Sequence, residues 1–316
     1  MIAVLGAGAW GTALAVALCR ADRAVRLWGR DEAALAALRE GRSPHLPDVA
    51  LPPLEATVDM AEAIDGADAV LLVVPVAATE AVARLVLPLT DAPLVLCGKG
   101  LAPDTGEAPR ETVLRLAPAR RVAVLSGPSF AADVARGLPT AVTLGAAEGA
   151  FDLARALATP ILRVYPNDDV RGVELGGAFK NVVALAVGVC RGLGLGPSAE
   201  AALAARGFAE LVRLTTTLGG GRDTPGGLSG LGDLMLSCAG PGSRNFRFGE
   251  ALGRKEGVDG LPLAEGARTA PTAARLSRTH GLDCAVMEGT ARLLAGEVDA
   301  TTLWRELLER PVRAEG

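Results

Sequence analysis

Three of the 32 Lys and Arg residues are lysines, Lys99, Lys180 and Lys255, leaving 29 arginines. In so arginine-biased a chain a lysine stands where a compact ammonium with an adjustable pKa is wanted, because burial can lower a lysine toward neutrality whereas a guanidinium stays charged. Lys255, between Arg254 and Glu256, reads as a solvated surface residue. Lys180 differs. With Asn181 it interrupts a small, apolar helical run from Gly176 through Val189, where an ammonium is costly unless it has a partner or a task. The candidate partner lies in GLSGLGDLMLSC, residues 227–238, where Asp233 and Ser237 are four apart and share a helical face. A lysine so placed is a candidate acid and base. Lys99 sits between Gly98 and Gly100 directly after an apolar run, which leaves its ammonium accessible to a ligand. Gly242-Ser243-Arg244-Asn245 is a glycine-led basic turn suited to gripping a phosphate through guanidinium, amide and backbone donors. Gly127-Pro128-Ser129 forms a rigid turn whose backbone N–H groups and Ser129 can bind polar ligand atoms or simply cap a helix. The plainer alternative for the group is a snorkelling lysine and an arginine capping surface helices.

These residues need elements to hold them. Up to about residue 165 short β-rich runs alternate with Ala-rich helical stretches, the pattern of a mostly parallel sheet covered on both faces. The predicted strands are Ile2 to Leu5, Ala24 to Trp28, Ala69 to Val74, Leu94 to Cys97, Val122 to Leu125, Ala141 to Leu144 and Ile161 to Tyr165. The first leads straight into GAGAWGTALA, where Gly6 permits a sharp turn, Gly8 lets the backbone approach a pyrophosphate and Gly11 lets helix and strand pack closely. The phosphates would sit on free N–H groups at the helix N-terminus. With 39 glycines in the chain the spacing alone is weak, but a strand before it, a helix over Thr12 to Cys19 and a second strand make it a dinucleotide-binding unit. That second strand ends in Trp28-Gly29-Arg30-Asp31, where the adenosine ribose is read. An acidic residue there favours NAD and an arginine NADP; Arg30 comes first, so the reading leans to NADP with dual use open. From about Val170 the β-runs give way to Ala/Leu-rich helical periodicity broken by glycine-rich turns, a second and helical domain. The fold class is α/β, a dinucleotide-binding domain over residues 1–169 followed by an all-helical domain over 170–316.

Composition narrows the function further. A net charge of −4 and pI near 5.4 argue against a general nucleic-acid binder, which needs clustered basic residues. No apolar run reaches the roughly 18 residues of a membrane span; the longest are Ala69 to Val74 and Val182 to Val189. A strand starting at residue 2 leaves no room for a signal peptide, so a cytoplasmic protein is expected. The five cysteines are scattered and read as buried free thiols, while His45 and His280 lack any cluster with metal-ligand spacing, so no metal site is expected.

GAGAWGTALA, the Lys99 segment, GPSFA, GGAFKN, GLGDL, SRN and AEG at 264–266 resemble, in that order, the bacterial glycerol-3-phosphate dehydrogenases, from residue 2 to about residue 290. The resemblance implies a Rossmann-type domain followed by an all-helical substrate domain, usually in a homodimer. It implies interconversion of dihydroxyacetone phosphate and sn-glycerol 3-phosphate with NAD(H) or NADP(H), a supply for phospholipid synthesis. Carried over residue by residue, it makes Lys180 the general acid and base, oriented by Asp233 and Asn181, and puts Lys99 against both substrate and cofactor. Gly127, Ser129, Ser243, Arg244 and Asn245 would contact substrate beside Asp233 and Ser237, with Arg244 as phosphate anchor that also touches the cofactor. Ala9, Trp10, Arg30 and Ala131 would lie on the dinucleotide with Gly6, Gly8 and Gly11, and Leu263 and Glu265 would close its nicotinamide end. Departures are Ala9 for a frequent serine, Asp133 for glutamate and Leu263 for valine. The apolar surroundings and Lys99 would depress the Lys180 pKa and Asp233 would raise it, a balance the sequence leaves open. Competing readings are a related reductase of a β-hydroxyacid or ketopantoate, against which the SRN turn argues, and a nicotinamide-binding regulator, which needs no buried acid or base.

Overall fold

The computed structural model describes residues 1–262 and 264–309. Its first part runs β1 (Ile2–Leu5), α1 (Ala9–Cys19), β2 (Val25–Trp28), α2 (Glu32–Arg39), β3 (Ala56–Thr57), α3 (Met60–Ile64), β4 (Ala69–Leu72), α4 (Thr79–Val86), β5 (Leu94–Leu96), α5 (Pro109–Leu116), β6 (Val122–Ser126), α6 (Ala131–Arg136), β7 (Thr140–Ala146), α7 (Ala150–Leu157) and β8 (Leu162–Asn167). The eight strands form one sheet in the order β3-β2-β1-β4-β5-β6-β7-β8. Every neighbouring pair is parallel except β6 with β7, whose register sets Leu125 opposite Leu144. Strands buried on both faces must be apolar at successive positions, and all four residues of β1 and of β4 are buried. The strand order reverses between β1 and β4, so a crevice opens beyond their carboxyl ends, where Gly6 to Trp10 and Val73 to Val76 lie. β3, two residues long, has no counterpart among the sequence-based expectations, and β6 to β8 each run one to two residues further than the apolar runs alone.

Helices make up the rest: α8 (Val170–Gly192), α9 (Pro197–Thr217), α10 (Asp233–Cys238), α11 (Arg244–Gly253), α12 (Glu265–Thr279), α13 (Ala285–Leu294) and α14 (Ala300–Leu308). The axis of this part is α8, whose residues from Val170 to Cys190 are buried apart from Arg171. At 23 residues and a mean hydropathy of 1.5 it is long and apolar enough to span a membrane, contrary to the expectation that no run reaches that length, but its apolar window is wholly packed inside the protein. Two cores share it. Val170 and Val173 pack into the sheet beside Val70, Leu94 and Val124, whereas Leu175 through Cys190 pack among α9, α12 and α13. Small residues let α11 press onto α8: a Cβ on Gly188 would fall 2.1 Å from the Phe246 carbonyl oxygen, and one on Gly249 would fall 2.0 Å from that of Leu185.

Candidate active site

Lys180 projects from the middle of α8 and only 6% of it is exposed. Its ammonium donates to Asp233 Oδ1 at 3.0 Å and to Ser237 Oγ at 2.8 Å. Asp233, 3% exposed, opens α10, and Ser237 lies one turn on, so one helix face presents both acceptors. The preceding residues 228–232 form a π-helical turn rather than the loose glycine-rich loop that the sequence suggests. There Gly230 meets Gly176 of α8, whose missing Cβ would stand 3.4 Å from the Gly230 Cα, and this contact lowers Asp233 onto Lys180.

Lys99 reaches the same carboxylate from the sheet. Its ammonium donates to Asp233 Oδ2 at 2.7 Å and to the Gly127 carbonyl at 2.9 Å. Asp233 thus holds one lysine on each oxygen, joining the loop after β5, 134 residues away in the chain, to α8. Burial pushes the Asp233 carboxyl up, but the two ammonium groups outweigh it and hold the carboxyl below the ordinary aspartate value. Burial pushes the Lys180 ammonium down to about 8; the Lys99 charge acts the same way and Asp233 opposes it. Burial is thus the largest influence in the balance the sequence left open. Each ammonium has three N–H donors and uses two within the protein, so one on each remains for a ligand. Two cations on one carboxylate leave a net positive charge at the site.

The remaining candidates fall around this triad. Ser129 Oγ donates to the Gly127 carbonyl, beside the Lys99 ammonium. Ser243 caps α11, its hydroxyl accepting from Phe246 N. Arg244 follows it on the surface and has no hydrogen bond or ion pair among the described residues; its charge faces Glu265. Glu265, in the first turn of α12, lies against the Lys99 loop, with its Oε2 3.5 Å from where a Gly100 Cβ would be. Burial raises its pKa, while Arg268, Arg244 and the Val76 backbone N–H lower it. Leu263 lies outside the described residues. Asn181 does not touch the Lys180 ammonium it was expected to orient; its amide N–H groups donate to the carbonyls of Lys99, at 3.3 Å, and Gly177, at 3.4 Å. Asn245, expected on the substrate, directs its side chain inward to Asn181 and Gly266. Ser126, at the end of β6, escaped the sequence reading: its buried hydroxyl has no hydrogen-bond partner among the described residues and stands 2.4 Å from where a Gly177 Cβ would be, with the Lys99 side chain on the same side of Gly177. The signal was present, since Ser126 directly precedes the Gly127 turn.

At the crevice Gly6 adopts φ +127°, and a Cβ there would fall 2.2 Å from the Val73 carbonyl oxygen; one on Gly11 would fall 1.8 Å from the Gly6 carbonyl oxygen. Gly8 is different. A Cβ there would meet nothing within 4 Å, so packing does not account for this glycine. Gly8 is the N-cap of α1, whose first turn has neither a capping side chain nor an acidic residue, which suits an anion. Ala9, Trp10 and Ala131 gather on one cluster between α1 and α6. Asp31 caps α2, its Oδ1 accepting from Ala33 N and Ala34 N, while Arg30 beside it is exposed and unpaired among the described residues. These residues fit a dinucleotide.

Two family models match this arrangement: the N-terminus of NAD-dependent glycerol-3-phosphate dehydrogenase over residues 1–152, and the C-terminus of the same family over 169–305. The chain belongs to this family. It is 48% identical to a glycerol-3-phosphate dehydrogenase [NAD(P)+] of a Chelativorans species, over 99% of this chain and 98% of that protein. It is 50% identical to one of Afipia carboxidovorans, over 100% of this chain and 98% of that protein. The crystal structure of the glycerol-3-phosphate dehydrogenase of Coxiella burnetii superposes with a TM-score of 0.92 at 38% identity, covering 98% of each chain. The family match favours a dehydrogenase of this type over the ketopantoate and regulator readings.

Proposed function

We propose that in this NAD(P)-dependent glycerol-3-phosphate dehydrogenase the Lys180 ammonium gives its proton to the carbonyl oxygen of dihydroxyacetone phosphate during reduction. In the reverse direction the free amine takes the proton from the C2 hydroxyl of sn-glycerol 3-phosphate. The bound nicotinamide supplies or accepts the hydride. A ketone receiving hydride develops alkoxide character, and the site meets it with a proton donor and with net positive charge held in place beforehand. Asp233 keeps both ammonium groups oriented, Ser237 fixes Lys180, and Lys99 offers its unused donor to the substrate. Arg244, exposed at the N-terminus of α11 and unpaired among the described residues, is the anchor for the phosphate. The observation that carries this reading is the single carboxylate shared by two lysines, one of them buried with its pKa brought down to about 8.

The ribose end supports a preference for NADP. The Asp31 carboxylate is engaged in a helix cap worth about 1 kcal/mol, which leaves Arg30, exposed and unpaired among the described residues, as the group to meet a 2′-phosphate. The test is oxidation of NADPH and of NADH, followed by loss of the reduced nicotinamide absorbance, with dihydroxyacetone phosphate, ketopantoate and dihydroxyacetone as alternative acceptors. Turnover with the phosphorylated ketone, and a higher kcat/KM with NADPH, are expected. Faster turnover of ketopantoate, or equal use of unphosphorylated dihydroxyacetone, would overturn the proposal.

A further inference from the structure

Asn181 and Asn245 face each other across α8 and α11, 3% and 8% exposed, and together they link two backbone groups from distant parts of the site. At one end the Gly266 N–H, in the first turn of α12 beside Glu265, donates to Asn245 Oδ1 at 2.8 Å. Asn245 Nδ2 donates to Asn181 Oδ1 at 2.8 Å, and Asn181 Nδ2 donates to the Lys99 carbonyl at 3.3 Å and the Gly177 carbonyl at 3.4 Å. The direction of this chain is forced at both ends. A backbone N–H can only donate, so the Asn245 oxygen must face Gly266 and its amino group must face Asn181; a carbonyl can only accept, so the Asn181 amino group must face Lys99. Gly266 is pressed against the pair, because a Cβ there would fall 2.3 Å from the Asn181 carbonyl oxygen and 3.0 Å from Asn245 Oδ1.

We infer that the Asn245 side chain is a positioning residue: with Asn181 it forms a one-way hydrogen-bond relay that sets the Lys99 backbone from the N-terminal turn of α12. The relay holds the peptide of Lys99 while the Lys99 ammonium holds Asp233, so the two ends of one residue are fixed by different helices of the second part. Glu265 precedes the donor Gly266 and faces Val76 at the mouth of the crevice, so any shift of that turn is transmitted to Lys99. Buried amides transmit such a constraint well, because neither can turn over without setting oxygen against oxygen.

The inference rests on Lys99 belonging to the reacting site, and its test separates the two ideas. Asn245→Asp keeps the acceptor for Gly266 but turns a second oxygen toward Asn181; the Asn181 amide must then reverse and oppose the Lys99 carbonyl with its own oxygen. The expected result is a loss in kcat of about tenfold or more, with the dissociation constant for reduced cofactor within about twofold of wild type. In a Lys99→Met background the same substitution should cost little further, because the group it positions is gone. Equal losses in both backgrounds, an unchanged kcat, or a rise confined to KM for dihydroxyacetone phosphate would overturn the relay. A Lys99→Met enzyme with wild-type turnover would instead overturn the functional reading of Lys99. Asn181→Asp provides a second measure that does not depend on Asn245 variants folding. Its introduced carboxylate faces two carbonyls, and on protonation its single O–H can donate to the Lys99 carbonyl again, so its activity relative to wild type should climb as pH is lowered; a pH-independent ratio would contradict the relay.

Discussion

Lys180 holds its proton more loosely than an ordinary lysine because water is excluded from it and a second ammonium shares its carboxylate. In the proposed role reduction of the ketone draws on the protonated form, which a pKa lowered to about 8 would favour below that pH. In the same proposal oxidation of the alcohol draws on the free amine, so its dependence is the mirror image. With cofactor saturating, kcat/KM for dihydroxyacetone phosphate should be level below about pH 8 and fall above it, while that for sn-glycerol 3-phosphate should rise through the same pH. Profiles that fail to move in opposite directions would remove Lys180 from proton transfer. Arg244→Ala should act on binding instead, raising KM for the phosphorylated ketone by about tenfold to a hundredfold with kcat little changed; an unchanged KM would dismiss it as the anchor. At this scale Lys180 and Asp233 were legible, since an ammonium in an apolar helix requires a partner and the chain has few lysines. The bond from Lys99 to Asp233 was not, because it closes over 134 residues. Nor was the inward turn of Asn245, since an asparagine next to an arginine in a basic turn looks the same whether it faces a ligand or a neighbouring helix.

The glycines of the first turn separate two jobs within one short element. Gly11 lacks a side chain because the Gly6 carbonyl occupies its place, whereas Gly8 lacks one with open space before it. Gly11→Ala should therefore destabilise the fold by about 3 kcal/mol in denaturant titration. Gly8→Ala should leave the melting temperature within about 2 °C of wild type and weaken cofactor binding about tenfold or more. A Gly8→Ala protein that binds cofactor normally would show that no ligand approaches there. The strands of the sheet were readable because buried parallel strands are continuous apolar runs. β3 was not, since two residues, Ala56 and Thr57, carry no periodicity. The π-helical turn at 228–232 was hidden for a different reason: Gly230 is required by the Pro225 carbonyl, 2.1 Å from where its Cβ would lie, and only the folded chain brings Pro225 there.

Over the whole molecule, α8 decides how the parts behave together. Its first turns complete the core of the sheet and its remainder is the centre of the helical core, so neither can lose its packing without disturbing the other. Heating should give one cooperative transition, with equal calorimetric and van't Hoff enthalpies; two resolved transitions would show that the cores are independent. The same continuity builds the candidate site, because Lys180 comes from the helix and Lys99 from the loop after β5, and Asp233 bonds to both. The central claim is that the Lys180 amine moves the proton. Lys180→Arg tests it most directly, keeping the charge while removing a group that can lose its proton near neutrality. Dihydroxyacetone phosphate reduction by that variant should fall by about a hundredfold to ten-thousandfold, with reduced cofactor bound as tightly as by wild type. Turnover close to that of the wild type would contradict the account.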